Sequence, residues 1–339
     1  MSAELPPIDW SLAESTGRRL VRPGPVLDPG GRERLVADLR SAARRSVRLG
    51  EDASQLAASD DPLELVVDRP GWIRANTQLA GHLIDGVSTQ RSRPSPAQRV
   101  AGAALGAQVG AVFAALAGRV LGQFDPFTAP GRLYLVAPNI ADAEAALGVD
   151  HADFRLWVCL HEQTHRLQFT AAPWLAGHLS SLLGELLHDD EEDERGPGDI
   201  VRELTRHRRG PASPRTLDDW FRSPVQRTLF DGANAVMALL EGHADVMMDR
   251  AGEGTIPTLG LIRERFDRRR TRTMLASHLG RLLGLDRKLA QYREGAAFCR
   301  RVIDRVGVAG LNAVWTSPEM LPSPAEIAVP DAWVARVHG

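Results

Sequence analysis

Apolar residues recur every three or four positions along most of the chain, which is the spacing of one face of an α-helix. Residues 28–50 show this period clearly, with Leu35, Leu39 and Val47 on a common face. The same period predicts further helices at residues 97–121, 153–169, 173–187, 225–249, 261–283, 286–306 and 325–337. The pattern therefore predicts a mainly α fold built from long helices.

Two short apolar runs depart from this pattern, because they are too brief for helices and are bounded by turn residues. Residues 63–67 end at a turn that contains Pro70 and Gly71, and residues 133–136 lie between a glycine and a proline. Both runs are predicted as strands of a small sheet, so the fold class is α+β with helix dominant. The run at residues 133–136 is either an edge strand that receives an extended substrate or a core strand without substrate contact.

The composition is that of an ordinary globular protein, with 43% hydrophobic and 25% charged residues in a chain of 339. No break divides the pattern clearly, so residues 1–339 are predicted to form a single domain. A subdivision, if present, would separate the N-terminal helices and strand runs (1–150) from the helices that carry the candidate site (151–339).

Net charge and cysteine content indicate which partners and which cellular compartment to expect for the protein. The formal net charge of −2 gives no reason to expect nucleic acid or an anionic membrane as a partner. The weakly polar stretch within residues 97–121 is interpreted as a packed helix and not as a membrane span. Two cysteines do not make a disulfide framework, and residues 1–10 lack the pattern of a secretory signal. We therefore expect a cytoplasmic protein.

The most informative segment is a His-Glu-x-x-His sequence on the helix predicted at residues 153–169. His161 and His165 are four residues apart, so both imidazoles lie on one helix face and can reach a single ion. They continue the apolar stripe of Phe154 and Trp157, and burying two unpaired imidazoles is costly unless a metal satisfies them. Zinc suits neutral imidazole nitrogen and tolerates an open position for water, so we predict a Zn²⁺ site.

Glu162 follows the first histidine and is predicted to be the general base. A bound zinc lowers the pKa of its water towards about 7, and a nearby carboxylate can take the proton and deliver it to a leaving amine. Arg166 stands where zinc peptidases usually carry an uncharged residue, and we expect its side chain to point to solvent. The alternative is a surface helix with a coincidental spacing, which the apolar stripe disfavours.

A zinc site needs a third protein ligand, and the helix predicted at residues 225–249 supplies the best candidate. Glu241 and Asp245 share an otherwise apolar helix face, where a carboxylate needs a partner. We predict Glu241 as the ligand and Asp245 as the acceptor for a ring N–H of a ligand histidine, which would orient that imidazole. The alternatives are that both acids pair with arginines, or that His243 is the ligand in place of Glu241.

A developing oxyanion also needs a donor besides the metal. The side chains able to supply one are those of His243, Tyr134, His178 and His278. The sequence does not choose among these four, and each also suits a structural or exposed position.

Several of these segments resemble a known family, the zincin-like metallohydrolases of actinobacteria. The similar segments are residues 161–169, 240–245, 67–72, 122–126 and 138–140, with Ile8-Asp9-Trp10 near the start. The branch of similar length is called coenzyme F-420 biosynthesis-associated, and the resemblance spans nearly the whole chain. It implies a mostly helical zincin-related fold, a zinc-dependent metalloprotease-like activity, and the roles of ligand for His161, His165 and Glu241 and of general base for Glu162. It implies no substrate.

The leading prediction is therefore a zinc-dependent, metallopeptidase-like hydrolase that acts on a peptide or small amide. A second hypothesis is a catalytically silent, zinc-stabilised scaffold or binding protein associated with deazaflavin coenzyme metabolism, in which Glu162 is dispensable. A third is a helical partner-binding module in which His161 and Glu241 lie far apart. A structural zinc would more often have a fourth protein ligand, so the retained Glu162 favours the enzyme.

Overall fold

The computed structural model describes residues 7–59, 61–87, 94–188, 224–276 and 285–339. Long helices dominate these residues, which confirms the prediction of a mainly α fold. The first helices are α1 (Trp10–Leu20), α2 (Pro29–Ser54), α3 (Arg69–Val87), α4 (Pro96–Ala117) and α5 (Ala137–Leu147). The later ones are α6 (His151–Ala171), α7 (Leu175–His188), α8 (Pro224–Gly252), α9 (Leu259–Ala276), α10 (Leu285–Leu311), α11 (Pro324–Ala328) and α12 (Pro330–His338).

Local sequence signals set several helix ends. The Asp28 carboxylate accepts a hydrogen bond from the Gly31 N–H at 2.7 Å and caps α2, whose first residue is a proline. Ser95 and Gln98 form a reciprocal capping box at the start of α4. The single helix predicted at residues 325–337 is wrong, because Pro330 ends α11 and starts α12 after a non-helical residue at Val329.

The described residues contain one small sheet, with the strands β1 (Leu63–Val67), β2 (Gly122–Asp125) and β3 (Arg132–Val136). β3 lies in the middle, parallel to β1 and antiparallel to β2. The strand predicted at residues 133–136 is therefore central, so the edge-strand alternative is wrong and the strand belongs to the core. The edge strand nearest the candidate site is β2, which the hydrophobic pattern did not predict.

The core brings two distant parts of the chain together. Helix α6 packs along α2 and also against α8, and its residues Phe154 and Trp157 are buried in one apolar cluster with Leu39 and Leu135. On its other side α8 packs closely on α10. A Cβ added at Gly242 of α8 would lie 2.1 Å from the carbonyl carbon of Gly295, so this close approach requires glycine. The contacts fix α8 beside α6, where the candidate ligands lie.

Helix α4 is the one described helix whose length and apolar composition would allow it to cross a membrane. Its glycines 102, 106 and 110 face backbone carbonyls of Pro7, Asp9 and Ala13, at the start of α1 and just before it. Close packing of this glycine face agrees with the interpretation of the segment as a packed helix.

Candidate metal centre

Helix α6 carries the two histidines of the candidate site. The Asp150 carboxylate caps the helix by accepting a hydrogen bond from the Asp153 N–H at 3.0 Å. Because His161 and His165 are one helical turn apart, their rings lie on the same face, with centroids 4.7 Å apart. Their Nε2 atoms are separated by 3.1 Å, and both side chains are largely buried. The two imidazoles thus point towards one place, as the spacing predicts.

Helix α8 supplies the acid that meets them. Glu241 Oε2 lies 3.5 Å from Nε2 of His161, and Glu241 Oε1 lies 3.9 Å from Nε2 of His165. The candidate ligand atoms of these three residues all lie within 4.8 Å of one another. The structure therefore brings together the three residues that the sequence predicts as ligands.

The spacing of these atoms fits a tetrahedral ion. Zinc bonds of about 2.1 Å at tetrahedral angles hold neighbouring ligand atoms about 3.4 Å apart. The two imidazole nitrogens are 3.1 Å apart, and each lies 3.5 or 3.9 Å from one of the two Glu241 oxygens, so the carboxylate is within reach of an ion held by both histidines. Two imidazole nitrogens and one carboxylate form a donor set that zinc accepts in catalytic sites, with a fourth position left for water. The residues present fit a zinc ion.

The pKa values of the two histidines shift in opposite directions. Burial lowers the pKa of His161, but the nearby carboxylates of Glu241, Glu162 and Asp245 outweigh burial, so the net shift is upward. For His165 the pKa falls, because burial and the neighbouring His161 together outweigh Glu241.

Glu162 lies between α6 and the edge strand. Its side chain is 6% exposed and packs against Gly122 of β2, where an added Cβ would lie 2.5 Å from Cγ and 2.7 Å from Oε1. Burial raises the pKa of Glu162 to about 7, while His161 opposes this shift and Glu241 adds to it. A carboxyl group with a pKa in this range can both accept and release a proton near neutrality.

Asp245 does not have the role predicted for it. Its Oδ1 accepts a hydrogen bond from Arg263 Nη1 at 2.9 Å, and the same guanidinium donates from Nε to Asp249 at 2.6 Å. Nδ1 of His161 has no hydrogen-bond partner among the described residues. The predicted bond from a ligand histidine to Asp245 is therefore wrong, and pairing with an arginine, the alternative, is right for this acid.

Three of the four residues considered as oxyanion donors have other contacts in the structure. Tyr134 is buried on the central strand, and its hydroxyl faces Arg132 Nη1 at 3.5 Å. His243 is fully buried, with burial lowering its pKa to about 3, and its Nδ1 faces the Gln168 amide at 3.0 Å. His178 of α7 lies against Trp174, which immediately precedes that helix. These contacts do not support an oxyanion role for any of the three; His278 lies outside the described residues.

Two residues near the site were not predicted from the sequence. Gln168 is three residues after His165, and its fully buried amide contacts that histidine and α8. A polar residue on the buried face of α6 was the available signal. The hydrophobic pattern gave no signal for Gly122, because only the tertiary packing reveals its contact with Glu162. The expectation that Arg166 points to solvent is wrong. Arg166 is 6% exposed and donates a hydrogen bond to Gln163 Oε1.

Comparison with known proteins agrees with this geometry. A family model for zincin-like metallopeptidases matches residues 8–334. The chain is 32% identical to a candidate hydrolase with a novel fold from Chloroflexus aurantiacus, whose crystal structure superposes with a TM-score of 0.67. That match covers 97% of this chain and 98% of the other. None of the curated proteins matches significantly. On this evidence the chain belongs to the zincin-like metallopeptidase family.

Proposed function

We propose that the protein is a zinc-dependent hydrolase that cleaves a peptide or amide bond, with the ion held by His161, His165 and Glu241 and with Glu162 as general base. The observation that carries this proposal is the convergence of three donor groups from two helices, with one candidate ligand atom from each lying within 4.8 Å of the others. Membership of a metallopeptidase family supports the same reaction class.

A bound zinc ion supplies a water of lowered pKa and polarises the substrate carbonyl. The residues of the chain manage the proton. Glu162 takes the proton that the attacking water gives up as its oxygen bonds to the carbonyl carbon, and the carboxyl then holds it. When the carbon–nitrogen bond breaks, Glu162 delivers this proton to the leaving nitrogen.

The edge strand β2 supports an extended peptide as the substrate. Within the described parts of the chain β2 pairs with β3 alone, so its outer edge has backbone groups free to pair with an added strand. Gly122 of this strand touches the Glu162 side chain, so a peptide added there would lie beside the general base. We propose that the protein is cytoplasmic and that its substrate is a peptide or a small amide. The resemblance to the F-420 biosynthesis-associated branch does not indicate a particular substrate.

The experiment that tests the proposal compares the zinc-loaded wild type with Glu162→Gln. Each protein is incubated with a mixed peptide library in ¹⁸O-water, and new carboxyl termini are counted by mass spectrometry. We expect both proteins to hold about one zinc per chain and the variant to be slower by about 10²- to 10⁴-fold. Glu33→Gln, at an exposed position on α2, is the matched control and should match the wild type.

Two results would contradict the proposal in different ways. A wild type that binds no zinc would exclude the metal site itself. A wild type that binds zinc but cleaves no peptide or amide, with Glu162→Gln equally stable and equally metallated, would favour the zinc-stabilised scaffold instead.

A further inference from the structure

One buried amide joins the two helices that carry the candidate ligands. Gln168 has no exposed surface, and its Oε1 lies 3.0 Å from Nδ1 of His165 on the same helix. Its Nε2 donates to the backbone carbonyl of Leu240 at 2.8 Å and lies 3.0 Å from Nδ1 of His243. Leu240 immediately precedes Glu241, so this side chain connects one candidate ligand to the backbone beside another.

The partners fix which way the amide faces. A backbone carbonyl can only accept a hydrogen bond, so the atom facing Leu240 must be the NH₂ group. The amide oxygen then faces His165, and an oxygen can only accept, so Nδ1 of His165 must carry the hydrogen. In a neutral imidazole this leaves the lone pair on Nε2, the nitrogen that points towards His161 and Glu241.

The second N–H of the amide sets the state of His243. Nδ1 of His243 must accept this N–H, so its own hydrogen lies on Nε2. That nitrogen has no polar partner among the described residues, and its ring meets the ring of Trp315 nearly edge-on at 5.1 Å. All the polar atoms of the Gln168 side chain are thus satisfied by three fixed partners, which is what a rigid connection requires.

We propose that Gln168 is a positioning residue that holds His165 in the Nδ1–H form and ties α8 to α6, so that His165 and Glu241 aim at one ion. The inference rests on the proposed zinc site. A hydrogen bond to the distal nitrogen of a metal-binding histidine fixes the ring and its tautomer, and losing such a partner typically weakens metal binding about 10- to 100-fold. His161 lacks this support in the described structure, so the effect concentrates on His165.

The test uses one substitution at two matched positions. Gln168→Met keeps the side-chain length and removes the three hydrogen bonds. Gln163→Met is the control, because Gln163 lies on the same helix, is 1% exposed and contacts Ala43 O, Glu64 and Arg166 instead. Zinc affinity is measured by competition with a chromophoric chelator. We expect Gln168→Met to bind zinc about 10- to 100-fold more weakly, and Gln163→Met to bind within about threefold of the wild type.

A second readout separates positioning from a loss of stability. Long-range ¹H–¹⁵N spectra of histidine-labelled, metal-free protein distinguish the two imidazole tautomers. The metal-free form is needed because zinc on Nε2 of His165 would itself leave the hydrogen on Nδ1. The wild type should show His165 as Nδ1–H and His243 as Nε2–H, and Gln168→Met should lose both assignments while Gln163→Met keeps them.

Unchanged zinc affinity in a folded Gln168→Met, or a wild-type His165 that carries its hydrogen on Nε2, would overturn the inference. If Gln168→Met does not fold, the wild-type tautomers still decide. Absence of zinc binding by the wild type would overturn the proposed function, while the tautomers of the metal-free protein would still report on Gln168.

Discussion

Replacing Gly122 by alanine places one methyl group against the proposed general base. The added Cβ would lie 2.5 Å from Glu162 Cγ and 2.7 Å from both Cδ and Oε1. Carbon atoms in good contact are about 3.5–4.0 Å apart, so a displacement of about 1 Å or more is needed. Either the edge strand β2 moves outward or the Glu162 carboxylate leaves its position, and both changes alter the geometry of proton transfer.

The magnitudes follow from that displacement. Moving a catalytic group by about 1 Å can lower the rate about 10²-fold, so we expect a loss of this size in turnover. Overpacking of a buried site costs about 1–3 kcal/mol in the free energy of unfolding. Zinc content should stay near one per chain, because the three atoms nearest to the added Cβ all belong to Glu162 and none to an assigned ligand. A loss of activity with the metal retained separates this effect from damage to the zinc site.

The assay measures peptide turnover, zinc content and urea unfolding on the same preparation. Gly118→Ala is the matched control, since Gly118 lies four residues earlier with φ −85° and has no heavy atom within 4 Å of an added Cβ. It should keep full turnover and unfold at equal or slightly higher stability, by about 0.4–1 kcal/mol. A Gly122→Ala protein that matches this control in rate and stability would refute the contact between β2 and Glu162.

Three further predictions concern stability and reactivity. Cys159 and Cys299 are buried, and burial raises the pKa of both thiols. An aromatic disulfide reagent should therefore label neither thiol in the native protein and both thiols in urea. Rapid labelling of the native protein would contradict this. Asp245→Asn weakens the bond to Arg263 and should lower the free energy of unfolding in urea by about 1–3 kcal/mol, with the His165 tautomer unchanged. A change of tautomer would mean that Asp245 orients a ligand histidine after all. Gly295→Ala forces a Cβ to 1.9 Å from the Ala238 carbonyl oxygen and should cost about 1–3 kcal/mol or more, and an unchanged stability would argue against the close crossing of α8 and α10.

Local periodicity was sufficient to predict that the two histidines of the candidate site lie together. The one-turn spacing of His161 and His165 determines that they share a face, whatever the rest of the fold does. The apolar stripe around them predicted burial, and the structure confirms that α6 is packed on two sides. Glu241 was predictable as a carboxylate on an apolar face, although its meeting with α6 depends on tertiary packing of α8.

The other half depended on long-range contacts that no local pattern records. Asp245 shares a helix face with Glu241, but it forms a hydrogen bond with Arg263 of the following helix. The sequence does not show which helix packs against Asp245. Strand order is equally non-local: β3 became central because β2, four residues with no clear alternation, pairs with its free side. The roles of Gln168 and Gly122 likewise depend on which backbone lies opposite them.

The most direct test of the account is the position of the metal in the zinc-loaded protein, determined by anomalous diffraction at the zinc absorption edge. The account predicts one zinc ion per chain, about 2.0–2.2 Å from Nε2 of His161, Nε2 of His165 and a carboxylate oxygen of Glu241. A zinc ion bound elsewhere, or bound to the histidines with Glu241 beyond ligand distance, would contradict it.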